Sequence, residues 1–164
     1  MTAPPAEPRF LCDEMLGKLA RFLRLLGYDV DYARGVANDT EVAALARASG
    51  RLLLTRDVEL ARRVAHSFLV TSLDPREQVD QVVQGLRLTP DPRLAFSRCS
   101  VCNTPLEPAA PEAVAAEVPE GVRERHTRFW RCPGCRRVYW PGTHVARMEA
   151  DLGGRGDRGA PGDA

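Results

Sequence analysis

The first hundred residues alternate short apolar runs with amphipathic stretches, the pattern left by strands separated by helices. Phe10 to Cys12 reads as a first strand. Met15 to Leu26 then places Met15, Leu16, Leu19, Phe22, Leu23 and Leu26 on one helical face, and Gly27 ends it as a C-cap glycine would. Tyr28 to Tyr32 predicts a second strand and Glu41 to Ala48 a second helix. Within Arg51 to Thr55, the consecutive Leu52, Leu53 and Leu54 predict a third strand buried on both faces, as inner strands of parallel sheets are. Val58 to Ala65, Ser67 to Thr71 and Pro75 to Leu86 continue as helix, strand and helix. The alternation predicts an α/β fold, a parallel sheet flanked by helices, until the run Thr89-Pro-Asp-Pro-Arg93 breaks it. Gly17 lies inside the first helix, where it costs about 1 kcal/mol relative to Ala. It therefore predicts the close approach of another backbone or of a substrate.

Beyond the break the chemistry changes. Cys99-x-x-Cys102 and Cys132-x-x-Cys135 form two identical hooks able to bring four thiolates to one point, the ligand set a structural Zn²⁺ prefers. Disulfides are the alternative. Five cysteines with Cys12 unpaired, no apolar leader and no 18-residue apolar run do not describe a secreted scaffold. An iron centre of rubredoxin type also suits four cysteines in two hooks. The 29 residues between the hooks exceed the usual interval of about 15–20, and the Pro/Ala/Glu-rich stretch 108–120 predicts an inserted loop. The expected organisation is a disordered N-terminus over 1–8, an α/β domain over 9–93, a small four-cysteine zinc ribbon over 96–150 and a disordered Gly-rich tail over 153–164. Cys12 reads as a buried strand residue. The cytoplasm is the expected compartment, with no membrane partner.

A formal net charge of +1 carries no information alone, but its distribution does. From Gly121 to Arg147 there are seven Arg against one Glu, interleaved with Phe129, Trp130, Tyr139 and Trp140. Arg beside exposed rings can hold phosphate and stack on bases, which makes Arg128 and Arg136 candidate nucleic-acid contacts. Two other readings stay open: these Arg neutralise a thiolate cluster of formal charge about −2, or the rings form the ribbon's own core.

The acids are the remaining candidates. Asp13 follows the first strand and Asp57 the third, so a parallel sheet sends both from its carboxyl-terminal edge, where such sheets build their sites. Asp39 precedes the second helix. Clustered carboxylates make a hard, oxygen-rich site suited to Mg²⁺ or Mn²⁺, and ions there can activate water against a phosphodiester. Each acid also has a helix-capping reading, strongest for Asp74 with Glu77 and Pro75. Glu41 and Glu59 are possible fourth ligands, or solvated helix residues. Lys18 is the one lysine among 23 basic residues. It and Arg21 follow Asp13 on the first helix, while Arg56 precedes Asp57, so Lys18, Arg21 and Arg56 are candidate phosphate contacts. His66, His126 and His144 receive no acid–base role.

Phe10-Leu-Cys-Asp-Glu-Met-Leu-Gly-Lys-Leu-Ala-Arg-Phe-Leu-Arg-Leu-Leu-Gly-Tyr-Asp29, Asn38-Asp-Thr-Glu41, Arg51-Leu-Leu-Leu-Thr-Arg-Asp57, the two hooks and Tyr139-Trp-Pro-Gly-Thr-His144 occur here in that order. Together, over residues 9 to about 150, they resemble the RNase domain named after the C-terminal part of the Mut-seven exonuclease, a PIN-like nuclease fold joined to a zinc ribbon. The resemblance implies a metal-dependent RNase with Asp13, Asp39 and Asp57 as metal-binding acids. Asn38 and Thr40 interrupt the run of acids the family usually shows before the second helix. The alternative from another class is a non-catalytic RNA- or protein-binding adaptor built on the ribbon.

Overall fold

A computed structural model describes residues 6–142. Residues 1–5, the end of the expected ribbon with His144, and the expected tail 153–164 lie outside the described residues. β1 (Ala6–Cys12) begins four residues ahead of the expected Phe10. It is followed by α1 (Gly17–Leu25), β2 (Tyr28–Tyr32), α2 (Asp39–Ser49), β3 (Leu52–Thr55), α3 (Val58–Arg63), β4 (Ser67–Leu69) and α4 (Pro75–Gly85). The four strands form one parallel sheet in the order β2-β1-β3-β4.

Strand alternation sorts the apolar residues onto two faces. Phe10, Cys12, Leu52 and Leu54 join Tyr28 and Val30 beneath Leu19 and Leu23 of α1 and Val79 and Val82 of α4. Leu11 and Leu53 face Val42, Ala43 and Ala46 of α2 and Leu60 of α3. The three leucines of β3 are buried on both sides, as their sequence predicts, each contributing about 1.5–3 kcal/mol.

The first helix departs from its sequence pattern at the start. Residues Glu14–Leu16 form a 3-10 turn, because the Glu14 amide donates to Asp13 Oδ1 at 2.7 Å. Met15 is consequently exposed instead of joining the apolar face. The group packed against Gly17 is the Tyr32 ring: a Cβ at Gly17 would stand 3.0 Å from Tyr32 Oη, which donates to the Glu14 carbonyl at 2.6 Å. At Gly27 the backbone adopts φ +99°, and a Cβ would lie 2.6 Å from both Leu94 Cβ and Leu94 O. Glycine there permits the turn into β2 and the return of the later chain against it.

The second part is an antiparallel sheet of β5 (Glu107–Ala109), β6 (Phe129–Arg131) and β7 (Val138–Tyr139), in that order. α5 (Pro111–Val114) and α6 (Glu120–Arg125) lie between β5 and β6. The stretch 108–120 is therefore not the inserted loop its composition predicts. It supplies most of β5 and all of α5, and Val114 and Val118 are buried against Phe129. Pro108 is tolerated because β5 is an edge strand, and Pro111 opens α5 at a position needing no amide donor.

Side chains from both parts lock them together along β2, the sheet's edge strand. The Val30 amide donates to Asn103 Oδ1 at 3.2 Å, and Arg24 Nε donates to the Val30 carbonyl at 2.8 Å. These two contacts occupy backbone groups that an edge strand otherwise offers to another chain. Arg24 Nη1 also donates to the carbonyls of Ser100 and Val101, at 3.1 and 3.0 Å, inside the first cysteine hook. Asn103 Nδ2 donates to Asp29 Oδ1 at 2.8 Å, and Arg51 pairs with Asp29 at 2.8 Å and with Asp31 at 3.0 Å.

Partial burial pushes the Asp29 carboxyl up, but hydrogen bonds from Arg51 and Asn103 and the charges of Arg51 and Arg98 outweigh it, holding Asp29 below its ordinary value of 3.8. A depressed folded-state value stabilises the protein above the unfolded value and is lost as pH falls through the folded one. Acid unfolding monitored by circular dichroism is expected to show wild type losing stability below about pH 4, with that component missing in Asp29→Asn. Parallel acid profiles for the two proteins would refute the assignment.

Candidate functional site

The strand order sends the chain from β1 to β2 on one side and from β3 to β4 on the other, so the connections diverge between β1 and β3. At the carboxyl ends of such a pair the diverging loops leave a crevice, where open α/β sheets bind ligands. Asp13 and Asp57 flank it. The Asp13 amide extends the β1–β3 pairing by donating to the Leu54 carbonyl at 3.0 Å.

One residue that sequence reasoning passed over joins the two acids. Thr55, fully buried at the end of β3, donates its hydroxyl to Asp13 Oδ2 at 2.8 Å and accepts from the Asp57 amide at 3.0 Å. The signal available beforehand was Thr-x-Asp at a strand end, where a hydroxyl commonly turns the backbone two residues on. Asp57 Oδ1 accepts from the Leu60 amide at 2.8 Å, so Asp57 also caps α3. Asp13 thus has both carboxylate oxygens tied to the scaffold and Asp57 one, while both side chains stay only partly buried.

The other acids are placed differently. Among the described residues they are not drawn together with Asp13 and Asp57 into a metal-holding group. Asn38, not Asp39, caps α2: its Oδ1 accepts from the Glu41 amide at 3.0 Å, and Glu41 Oε2 accepts from the Ala37 amide at 3.2 Å. This reciprocal box engages Glu41 structurally, leaving Asp39 exposed in the first turn. Glu59 pairs with Arg62 at 2.8 Å, and Asp74 caps α4 as its sequence predicts. Lys18 and Arg21 are exposed on α1. Arg56 is partly buried beside the crevice, and its Nε is buried without a hydrogen-bond partner.

The cysteine centre is more compact. The Sγ atoms of Cys99, Cys102, Cys132 and Cys135 all lie within 4.8 Å of one another, and among the described residues this is the metal-holding group found. Cys99 and Cys135 sulfurs are 3.6 Å apart, Cys102 and Cys132 sulfurs 3.4 Å. Sulfurs 2.3 Å from a tetrahedral centre stand about 3.8 Å apart, whereas a disulfide requires about 2.05 Å. The four thiols are free and fit a metal such as zinc. Burial pushes the Cys135 thiol up to about 12, aided by its sulfur neighbours. Cys102 feels burial too, but Thr104 and the neighbouring thiols bring it down to about 6. Tyr139 Oη sits 2.9 Å from Cys99 Sγ and 3.2 Å from Ser100 Oγ, and burial followed by the Cys99 contact pushes it up to about 12. Arg136 is exposed beside the second hook with φ +69°. Trp130 is not a bare stacking platform: Phe96 stacks on it at 5.0 Å and Arg128 lies over it at 5.1 Å. His66 is exposed, His126 is half-buried, and neither joins a metal-holding group. No described helix is long and apolar enough to cross a membrane.

A doubly wound parallel sheet with strand-end aspartates at its switch point, followed by an antiparallel appendage whose four clustered cysteines could hold a metal, defines a two-part α/β protein. Residues 8–152 match the Mut7-C RNAse domain, and the chain belongs to that family. It is similar to the protein of Homo sapiens named "Exonuclease mut-7 homolog", with 32% identity over 101 residues. That match takes in 58% of this chain but spans only 12% of the human protein's length. No solved structure matches it.

Proposed function

We propose that this protein is a Mg²⁺- or Mn²⁺-dependent ribonuclease that hydrolyses RNA phosphodiester bonds, with a zinc-stapled ribbon that helps to hold the nucleic acid. The observation that carries the reading is the coupling of Asp13 and Asp57 through Thr55 at the switch point of a chain in this family. Asp13 and Asp57 would bind the catalytic ion, with Asp39 and Glu41 as the candidates to complete its shell. Their carboxylate oxygens are the hard donors such ions take. A divalent ion bound there supplies an acidified water and charge stabilisation at the phosphate. Thr55 holds Asp13 in place through the hydroxyl bond to Oδ2. Lys18 and Arg56 would neutralise phosphate charge near the scissile bond, with Arg21 one turn further along α1. Cys99, Cys102, Cys132 and Cys135 would hold zinc, while Arg128 and Arg136 would contact the strand.

A second reading has its own observation in favour. The helix-capping roles of Asp57, Glu41 and Asp74 would suffice for a non-catalytic RNA- or protein-binding adaptor. A cleavage assay on RNA with Mg²⁺, with Mn²⁺ and with chelator separates the two. Divalent-dependent cleavage is expected; salt-sensitive binding with no cleavage in any ion would establish the adaptor instead. Elemental analysis should return one zinc per chain in a colourless protein, and a red, redox-active iron form would overturn that assignment.

A further inference from the structure

Two of the four hook sulfurs belong to buried residues, Cys99 and Cys132, and two to exposed ones, Cys102 and Cys135. A metal-bound thiolate carries negative charge and no hydrogen, so it can only accept hydrogen bonds. Water can solvate the exposed pair. The buried pair needs donors from the protein, because an unpaired buried charge is costly. For Cys132 the donor comes from its own hook, the Cys135 amide at 3.3 Å. For Cys99 it is a side chain: Tyr139 Oη, 2.9 Å from the sulfur, on the strand that follows the other hook. Packing accounts for the ring of Tyr139, which pairs with Trp130 of β6 and lies against the cluster of Cys99, Leu106 and Cys132. It does not account for the hydroxyl, since phenylalanine would fill the same place. Ser100 Oγ stands 3.2 Å from the same oxygen. With a hydrogen-free sulfur as acceptor the directions are fixed: Tyr139 donates to Cys99, and Ser100 donates to Tyr139.

We propose that Tyr139 is a positioning residue of the cysteine centre, whose hydroxyl, oriented by Ser100, donates to the Cys99 thiolate and moderates its donor strength toward the metal. The inference rests on the zinc reading of the four cysteines and deepens it. Four thiolates around a divalent ion leave a formal charge of about −2. A charge-assisted hydrogen bond stabilises part of that excess where no water reaches it. Tyr139 belongs to the strand after the second hook and Cys99 to the first, so the same bond ties the two halves of the centre together. Hydrogen-bond partners of metal ligands typically change metal affinity by about 10- to 100-fold.

The test uses the full chain stripped of metal and reloaded, with Co²⁺ for its absorption spectrum and with Zn²⁺ for release to a chromophoric chelator. In Tyr139→Phe the sulfur-to-cobalt charge-transfer bands should move to longer wavelength, because a thiolate without its donor holds its lone pair less tightly. Zinc should leave that variant at least about tenfold faster. Ser100→Ala should move both readouts the same way by less. Tyr32→Phe removes a tyrosine hydroxyl bonded to the Glu14 carbonyl at 2.6 Å, in the α/β part, and should leave the spectrum in place. Charge-transfer bands unmoved, or moved to shorter wavelength, in folded Tyr139→Phe overturn the proposal whatever the release rate, and leave the hydroxyl a structural contact. If Tyr139→Phe does not fold, Ser100→Ala decides: a shift to longer wavelength supports the proposal and an unmoved spectrum overturns it. Wild type that takes up Co²⁺ without a four-sulfur spectrum, or takes up none, overturns the metal reading of the cysteines and the role of Tyr139 with it.

Discussion

Asp13→Asn is expected to lower RNA cleavage at least about 100-fold while leaving the thermal midpoint within a few degrees of wild type. The substitution keeps the shape and removes the charge. Asp13 Oδ2 accepts from the Thr55 hydroxyl and Oδ1 from the Glu14 amide, and the carboxamide oxygen can still take one of these donors. The other meets an NH2 group, which costs about 1 kcal/mol at a partly solvated position. Thr55 softens this further, since its hydroxyl can rotate. The loss for catalysis is much larger, because a divalent ion among carboxylates is held by their summed charge and Asp13 supplies one of the charges of the proposed site. Raised Mn²⁺ should recover part of the activity if binding of the ion is what was lost. Full cleavage by Asp13→Asn that has been shown to be folded would sink the catalytic reading.

The parts of this architecture that the sequence makes legible are those with long periods or fixed spacing. Leu52 to Leu54 announce an inner strand because burial on both faces leaves no polar position, and the two hooks announce a four-sulfur centre because two short turns suffice to build each half. β5, β6 and β7 are two or three residues long, too short for a period of two to register. Pro108 and Pro111 then read as a loop although each occupies a position where proline costs nothing. At the crevice, Asp13 and Asp57 could be located from topology, whereas Thr55 could not, since a threonine closing a strand is ordinary and its bond to Asp13 joins segments 42 residues apart. Asn38 and Asp39 illustrate the limit: either could cap α2, and only the backbone angle of Asn38, φ −162° and ψ 168°, decides between them.

The junction between the sheet and the ribbon was the least legible feature, and it yields the second large effect. Arg24→Ala is expected to destabilise the protein by about 3 kcal/mol, with a thermal midpoint roughly 10 °C lower. In the sequence Arg24 looks like one more solvated cation on α1. In the fold it is only 6% exposed, and burial pulls its guanidinium below the ordinary arginine value. Its cost is offset by three carbonyl acceptors, at Val30, Ser100 and Val101. Truncation removes all three charge-assisted bonds and leaves a cavity, with the two hook carbonyls and the β2 edge carbonyl losing their donor. Lysine carries the charge but not the fork, so Arg24→Lys should recover less than half of the loss. Because two of the three acceptors lie between Cys99 and Cys102, the same variant loaded with the proposed zinc should also surrender it faster, which a chromophoric chelator reads directly. Wild-type release kinetics in a measurably destabilised Arg24→Ala would mean that the hook holds its shape without α1. An unchanged midpoint would mean that the arginine is no clamp at all.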